Sequence, residues 1–139
     1  MLIWSEKFAT GHKTIDEQHK MLFENINRLE GMLVQTNPSR EECDFMISLV
    51  NYLEDYVGAH FQLEEQCMES YRCPVHQQNK DAHQHFIAFF QKFKHRCEAE
   101  GFRMEILQLL HQSVHDWIVQ HIMRIDVQLK PCIAAARPA

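Results

Sequence analysis

Apolar residues recur at the three- and four-residue spacing of an α-helix in four stretches of this chain, and no alternating β-branched run competes with them. The first stretch runs from about Ile15 to Val34, with Leu22, Phe23, Ile26, Leu29 and Leu33 on one face. Asn37-Pro38-Ser39 breaks it, and Ser39 followed by Glu42 is a capping-box pattern that opens a second helix. That helix carries Phe45, Met46, Leu49, Leu53, Tyr56 and Val57 and continues to about Met68. Pro74 interrupts the pattern, and a third stretch with Phe86, Ile87, Phe90 and Phe93 ends before Gly101. The fourth uses Ile106, Leu107, Leu110, Val114, Trp117, Ile118 and Ile125 and is expected to stop at Pro131. Amphipathic helices with short connections bury their faces against one another. The expected fold is therefore all-α, an antiparallel up-down-up-down four-helix bundle over residues 1–131. Residues 132–139, half of them alanine, read as a linker or an appended tail.

The chain is one domain by length, 139 residues, and its net charge of -5 gives no basic face for nucleic acid. No apolar run approaches the roughly 20 residues that a membrane-spanning helix needs, and the start Met-Leu-Ile-Trp-Ser-Glu-Lys lacks a secretory pattern. Five cysteines (Cys43, Cys67, Cys73, Cys97 and Cys132) form an odd set without a C-x-x-C pair. They read as neither a disulfide framework nor a zinc ribbon, and they suit a reducing cytoplasm. No serine, cysteine or phosphate-loop catalytic pattern is present, so the domain is read as a binding unit rather than as an enzyme.

Histidine is the unusual component, with ten residues, and its neutral ring nitrogens are common metal ligands. Positions four apart share a helix face. His60 and Glu64 are such a pair and continue the Leu53-Tyr56 stripe. His19 leads the stripe of Leu22, Phe23 and Ile26. His83 is in register with Phe86, Ile87 and Phe90, and His121 extends that of Val114, Trp117 and Ile118. Each helix thus turns an imidazole inward, and buried polar groups on all four need a metal or a network to satisfy them. Histidines with carboxylates suit a first-row redox metal, iron being usual in bundle cores. The Glu-x-x-His pair of ferritin-like sites is absent, the nearest sequence being Asp16-Glu17-Gln18-His19.

These residues resemble the hemerythrin family, especially its bacterial single-domain and sensor-attached members. The likeness covers nearly the whole chain: Trp4, Gly11, Ile15-Asp16-Glu17-Gln18-His19-Lys20 with Leu22-Phe23 and Asn27, then His60-Phe61-Gln62-Leu63-Glu64-Glu65 and Met68, then Pro74, His83 and Phe86, then Trp117-Ile118-Val119-Gln120-His121-Ile122 and Asp126. The resemblance implies two iron ions as cofactor and dioxygen as their ligand. His19 and His60 would hold one iron, His83 and His121 the other, with Glu64 and Asp126 bridging. Asp126 lies five residues after His121, about 140° round an ideal helix, so periodicity alone does not turn it inward.

One position departs from the family. Members carry His-x-x-x-His five and nine residues after the proline, and here those places hold Asn79 and His83. An amide oxygen is a weaker iron ligand than imidazole, so the second iron is expected to keep a water or an open position, with His76 the other candidate. Such a site is expected to autoxidise readily. Phe61, Phe86 and Trp117 flank the ligand positions as core and as pocket wall. The function expected is dioxygen binding and redox sensing, with an output domain joined after the C-terminus. The alternatives are a free-standing oxygen carrier or iron store, or a diiron oxidase, peroxidase or nitric-oxide-handling protein. Glu65 reads as a solvated or capping carboxylate, and Asp16 as either a partner of a ligand histidine or an exposed helix-start acid. Cys67 reads as a buried structural thiol, and His111 and His115 as solvated or hydrogen-bonded.

Overall fold

A computed structural model describes residues 1–35 and 37–136. Four long helices, α1 (Lys13–Leu33), α2 (Arg40–Ser70), α3 (His76–Glu100) and α4 (Met104–Arg124), form the bundle, with no strand among the described residues. Each helix packs on its neighbour in sequence, and α1 closes the ring against α4. The helix starts and stops follow local chemistry. Ser39 Oγ accepts from the Glu42 N–H at 3.1 Å and Glu42 Oε1 accepts from the Ser39 N–H at 3.2 Å, the reciprocal pair that opens α2. Gly101, at φ 84°, ends α3 in the left-handed conformation, and the Phe102 N–H returns to the Cys97 carbonyl at 2.8 Å.

The main core runs the length of the bundle through Leu22, Ile26, Met46, Leu53, Phe90 and Leu110. The N-terminal segment lies along α1: Asn27 donates to the Leu2 carbonyl at 2.8 Å and accepts from its N–H at 2.7 Å. Trp4 and Phe8 then pack on Phe23. A second apolar cluster of Ile15, Cys67, Met68, Cys73, Ile125, Leu129 and Ile133 plugs one end. Among the described residues no helix is long and apolar enough to cross a membrane.

That end departs from the sequence expectation in two ways. The fourth helix stops at Arg124, not at Pro131. Ile125 leaves helical geometry at φ -115°, ψ -56°, a 3-10 turn covers Asp126–Gln128, and a fifth helix, α5 (Leu129–Ala136), follows. Pro131 sits in the first turn of α5, where no intrahelical N–H bond is required of it. The boundary expected at residue 131 thus falls inside α5, whose Ile133 is buried, while residues 137–139 lie outside the described residues. Cysteine usage is the second correction: Cys73 and Cys132 are joined as a disulfide, their Cα atoms 5.6 Å apart across 59 residues of sequence. An odd count without C-x-x-C is blind to a pair that only the fold brings together. Cys43, Cys67 and Cys97 are free.

Candidate metal centre

The inward stripes bring one polar group after another to a single level of the bundle. His19 comes from α1, His60 and Glu64 from α2, His83 from α3 and His121 from α4. Asp126 comes from the 3-10 turn. The early end of α4 is what aims it: a turn of tighter pitch replaces the continued helix, so the carboxylate faces the core despite its position five residues after His121. These side chains form two overlapping groups, His19-His60-Glu64-Asp126 and Glu64-His83-His121-Asp126, all buried.

Glu64 is 0% exposed and Asp126 2% exposed, and among the described residues imidazoles are the only charged partners either has. Glu64 Oε2 lies 3.3 Å from both His19 Nε2 and His60 Nε2, and Oε1 lies 3.2 Å from His83 Nε2. Asp126 reaches His19 Nε2 at 3.2 Å and His121 Nε2 at 3.0 Å. Several approaches are close but off the hydrogen-bonding direction: both His19 nitrogens, Glu64 Oε2 and Asp126 Oδ1 are buried without a hydrogen-bond partner. Buried charges left this way are costly. Ligand atoms aimed at common points between them, rather than at one another, explain the arrangement, and the cluster fits a metal site.

Protonation follows from the same crowding. Burial pushes the His19 imidazole down, but the Asp126 and Glu64 carboxylates outweigh it and hold the group up at about 9. Burial likewise opposes, and Glu64 and Glu65 outweigh it, in raising His83. Burial would raise Glu64, yet His19, His60 and His83 hold it well below the usual carboxylate range. Without a metal, protons on His19 and His83 supply positive charge beside the buried Glu64 carboxylate.

Two partners behind the histidines were missed from sequence. His60 Nδ1 donates to Gln18 Oε1 at 2.6 Å, and His83 Nδ1 donates to Glu65 Oε2 at 3.0 Å. Each bond turns Nε2 toward the centre, the device that fixes metal-binding tautomers. Glu65 is therefore neither solvated nor a cap. The available signal was the tandem Glu64-Glu65, since adjacent helical positions cannot share one direction. Asp16 is the helix-start acid of the two expectations, in the first turn of α1, but half-buried: it accepts from the Thr10 N–H and hydroxyl, both at 2.8 Å, and fixes the turn before α1.

Asn79 occupies the same buried level, 0% exposed. Its amide donates to Glu64 Oε1 at 2.9 Å and to Met68 Sδ at 3.3 Å, and its carbonyl accepts from His121 Nε2 at 2.8 Å. His76, at the first residue of α3, is half-buried and belongs to neither group. Phe61 stacks on His83 with ring centroids 3.7 Å apart, and Trp117 stacks on His121 at 4.3 Å. Phe86 lies 4.3 Å from Trp117. These rings line the histidine pair of α3 and α4 with apolar surface. Cys67 is buried as expected, and burial followed by the nearby Glu64 charge raises its thiol. His111 is a correction: it is buried, its Nε2 is unpartnered, and burial lowers it, while His115 pairs with exposed Asp116.

Comparison with known proteins agrees with this geometry. The family model described as Hemerythrin HHE cation binding domain matches residues 10–133. A bacteriohemerythrin of Methylococcus capsulatus is 30% identical, over 97% of this chain and 98% of that protein. One from Stenotrophomonas maltophilia is 28% identical, over 91% and 77%. A hemerythrin-like protein of Naegleria gruberi is 26% identical, over 91% and 89%. Among solved structures, a crystal structure of wild-type hemerythrin superposes with a TM-score of 0.78 at 23% identity, covering 96% of this chain and 98% of that one, which speaks for the fold.

Proposed function

We propose, for a chain that belongs to the hemerythrin family, that the centre holds two iron ions and binds dioxygen. The observation that carries the proposal is the pair of ligand groups that share Glu64 and Asp126. His19 and His60 would complete one position, and His83 and His121 the other. Bound iron supplies the electrons and the open coordination that dioxygen requires. The remaining work falls to the chain. Gln18 and Glu65 hold the protons of His60 and His83 on Nδ1 and leave Nε2 free. His121 Nε2 lies 2.8 Å from the Asn79 side-chain oxygen, a contact it would give up on becoming a ligand. Phe61, Phe86 and Trp117 exclude water beside His83 and His121.

Asn79 supports the redox-sensing form of this reading. It stands where the family places a further imidazole and is occupied with hydrogen bonds instead, which leaves the second position short of one strong ligand. The alternative form of this reading is a free-standing oxygen carrier. Anaerobic titration of the metal-free chain with ferrous iron tests the common ground. The expected result is saturation near two equivalents, with absorption bands that change on exposure to dioxygen. Saturation at one equivalent, or no response to dioxygen, contradicts it. Oxidation in air that is fast on the timescale of dioxygen release selects the sensor over the carrier.

A further inference from the structure

We infer that Cys73 and Cys132 are a reversible dithiol–disulfide couple, oxidised by a hydroperoxide and reduced by a low-molecular-mass thiol, that clasps α5 over the metal end of the bundle. The bond joins the turn between α2 and α3 to the first turns of α5. It lies in an open surface cleft of about 430 Å³ lined by Arg72, Cys73, Pro74, Gln128, Pro131 and Cys132. The two cysteines differ in exposure: Cys73 is 4% exposed, while Cys132 is only half-buried. A thiolate entering the cleft therefore meets the Cys132 sulfur first, and Arg72 places a cation in the lining that suits such a nucleophile.

The chemistry balances in both directions. A thiolate bonds to the Cys132 sulfur, the Cys73–Cys132 bond breaks, and Cys73 leaves as a thiolate that takes up a proton. A second thiol then frees Cys132 and departs as the external disulfide. In reverse, the two thiols lose two protons and two electrons, and the O–O bond of the hydroperoxide breaks to an alcohol or water and a further water. The fold accommodates the reduced state. The Gln128 carbonyl oxygen lies 3.5 Å from the Cys73 sulfur and 3.3 Å from the Cys132 sulfur, so either S–H finds an acceptor in place.

The clasp reaches the centre through packing. Leu129 and Ile133 of α5 share a cluster with Met68, whose sulfur receives the Asn79 amide. Asp126 belongs to the 3-10 turn that leads straight into α5. A helix of eight residues does not hold itself. With the bond cut, α5 is held by packing such as that of Leu129 and Ile133, and the Asp126 turn loses its covalent brace to the turn before α3. This last consequence, for metal retention, rests on the diiron reading.

The test uses the full chain, first metal-free. Samples equilibrated with 2-mercaptoethanol or with hydrogen peroxide are trapped by alkylation without denaturant and mapped by mass spectrometry. Cys132 should gain and lose label, and the peptide pair cross-linked through Cys73 should vanish and return with it, while fully buried Cys97 stays unlabelled. Reduction should lower the melting temperature by several degrees, and Cys132→Ser should melt like the reduced chain whatever the redox state. Chains loaded with cobalt(II) should release it about 10-fold faster when reduced, and Cys132→Ser should match the reduced rate. Resistance to 2-mercaptoethanol under native conditions, failure of peroxide to re-form the bond, or equal melting of both forms overturns the couple. Equal cobalt release from both forms overturns the link to the centre. If neither form binds cobalt, the diiron reading fails, and labelling and melting still judge the clasp.

Discussion

Replacing Asn79 with histidine should move the metal-free and the metal-loaded protein in opposite directions. Asn79 is fully buried between Glu64, Met68 and His121, and Glu64 and Met68 have no exposure of their own. An imidazole is bulkier than the amide it replaces and must displace the Met68 sulfur, and overpacking of this kind costs about 1–3 kcal/mol. For a chain of this length that lowers the metal-free melting temperature by roughly 3–10 °C. With metal, the new imidazole adds a ligand. Even groups that merely support a ligand are worth about 10- to 100-fold in metal affinity, or about 1.4–2.8 kcal/mol, and a direct ligand should reach at least that. Calorimetry of the metal-free chain, chelator competition for ferrous iron and stopped-flow oxidation in air measure the three quantities. The variant should melt lower without metal, hold iron more tightly and oxidise more slowly. Iron lost and oxidised as fast as in the parent chain would refute the assignment of Asn79 as the weak point of the site.

Three further predictions follow from the geometry. Phe61→Ala removes a buried ring stacked on His83 and should cost about 3–5 kcal/mol, read by denaturant unfolding; a loss under 1 kcal/mol, below the usual range for buried-ring truncation, would mean that the ring is not packed as described. Glu65→Ala, which strips the acceptor from His83 Nδ1, should weaken metal binding by about 10- to 100-fold while helicity by circular dichroism stays constant; unchanged affinity would return Glu65 to a surface role. Proton linkage gives the third. His19 is held at about 9 against an ordinary 6.5, so its share of metal-free stability is fully present below pH 6.5 and lost as pH rises through about 9. Metal must displace that proton, so cobalt(II) affinity should climb between pH 6.5 and about 9, with proton release in calorimetry. An affinity flat across that window would show that His19 is not a ligand.

The bundle and most of the centre were legible in sequence because helical periodicity fixes direction. His19, His60, Glu64, His83 and His121 each continue an apolar stripe, and the structure brings all five to one level. Asp126 was not legible that way. Its direction depends on α4 ending at Arg124 and tightening into a 3-10 turn, a choice made by tertiary packing of Ile125 and Leu129. Pro131 misled for a related reason: a proline is read as a helix stop, yet it is equally at home in a first turn, where α5 places it. Gln18 and Glu65 escaped because residues that support a ligand sit off the apolar face; the tandem Glu64-Glu65 hinted at the second, and nothing in the pattern distinguishes Gln18 from solvated neighbours. The Cys73–Cys132 bond is a contact across 59 residues, and no local spacing encodes it.

Diffraction from crystals of the iron-loaded chain, with anomalous maps recorded at the iron edge, tests the central claim most directly. Two anomalous peaks are predicted between Glu64 and Asp126, one beside His19 and His60 and the other beside His83 and His121. A single peak, or iron bound elsewhere with these side chains still paired to one another, would contradict it.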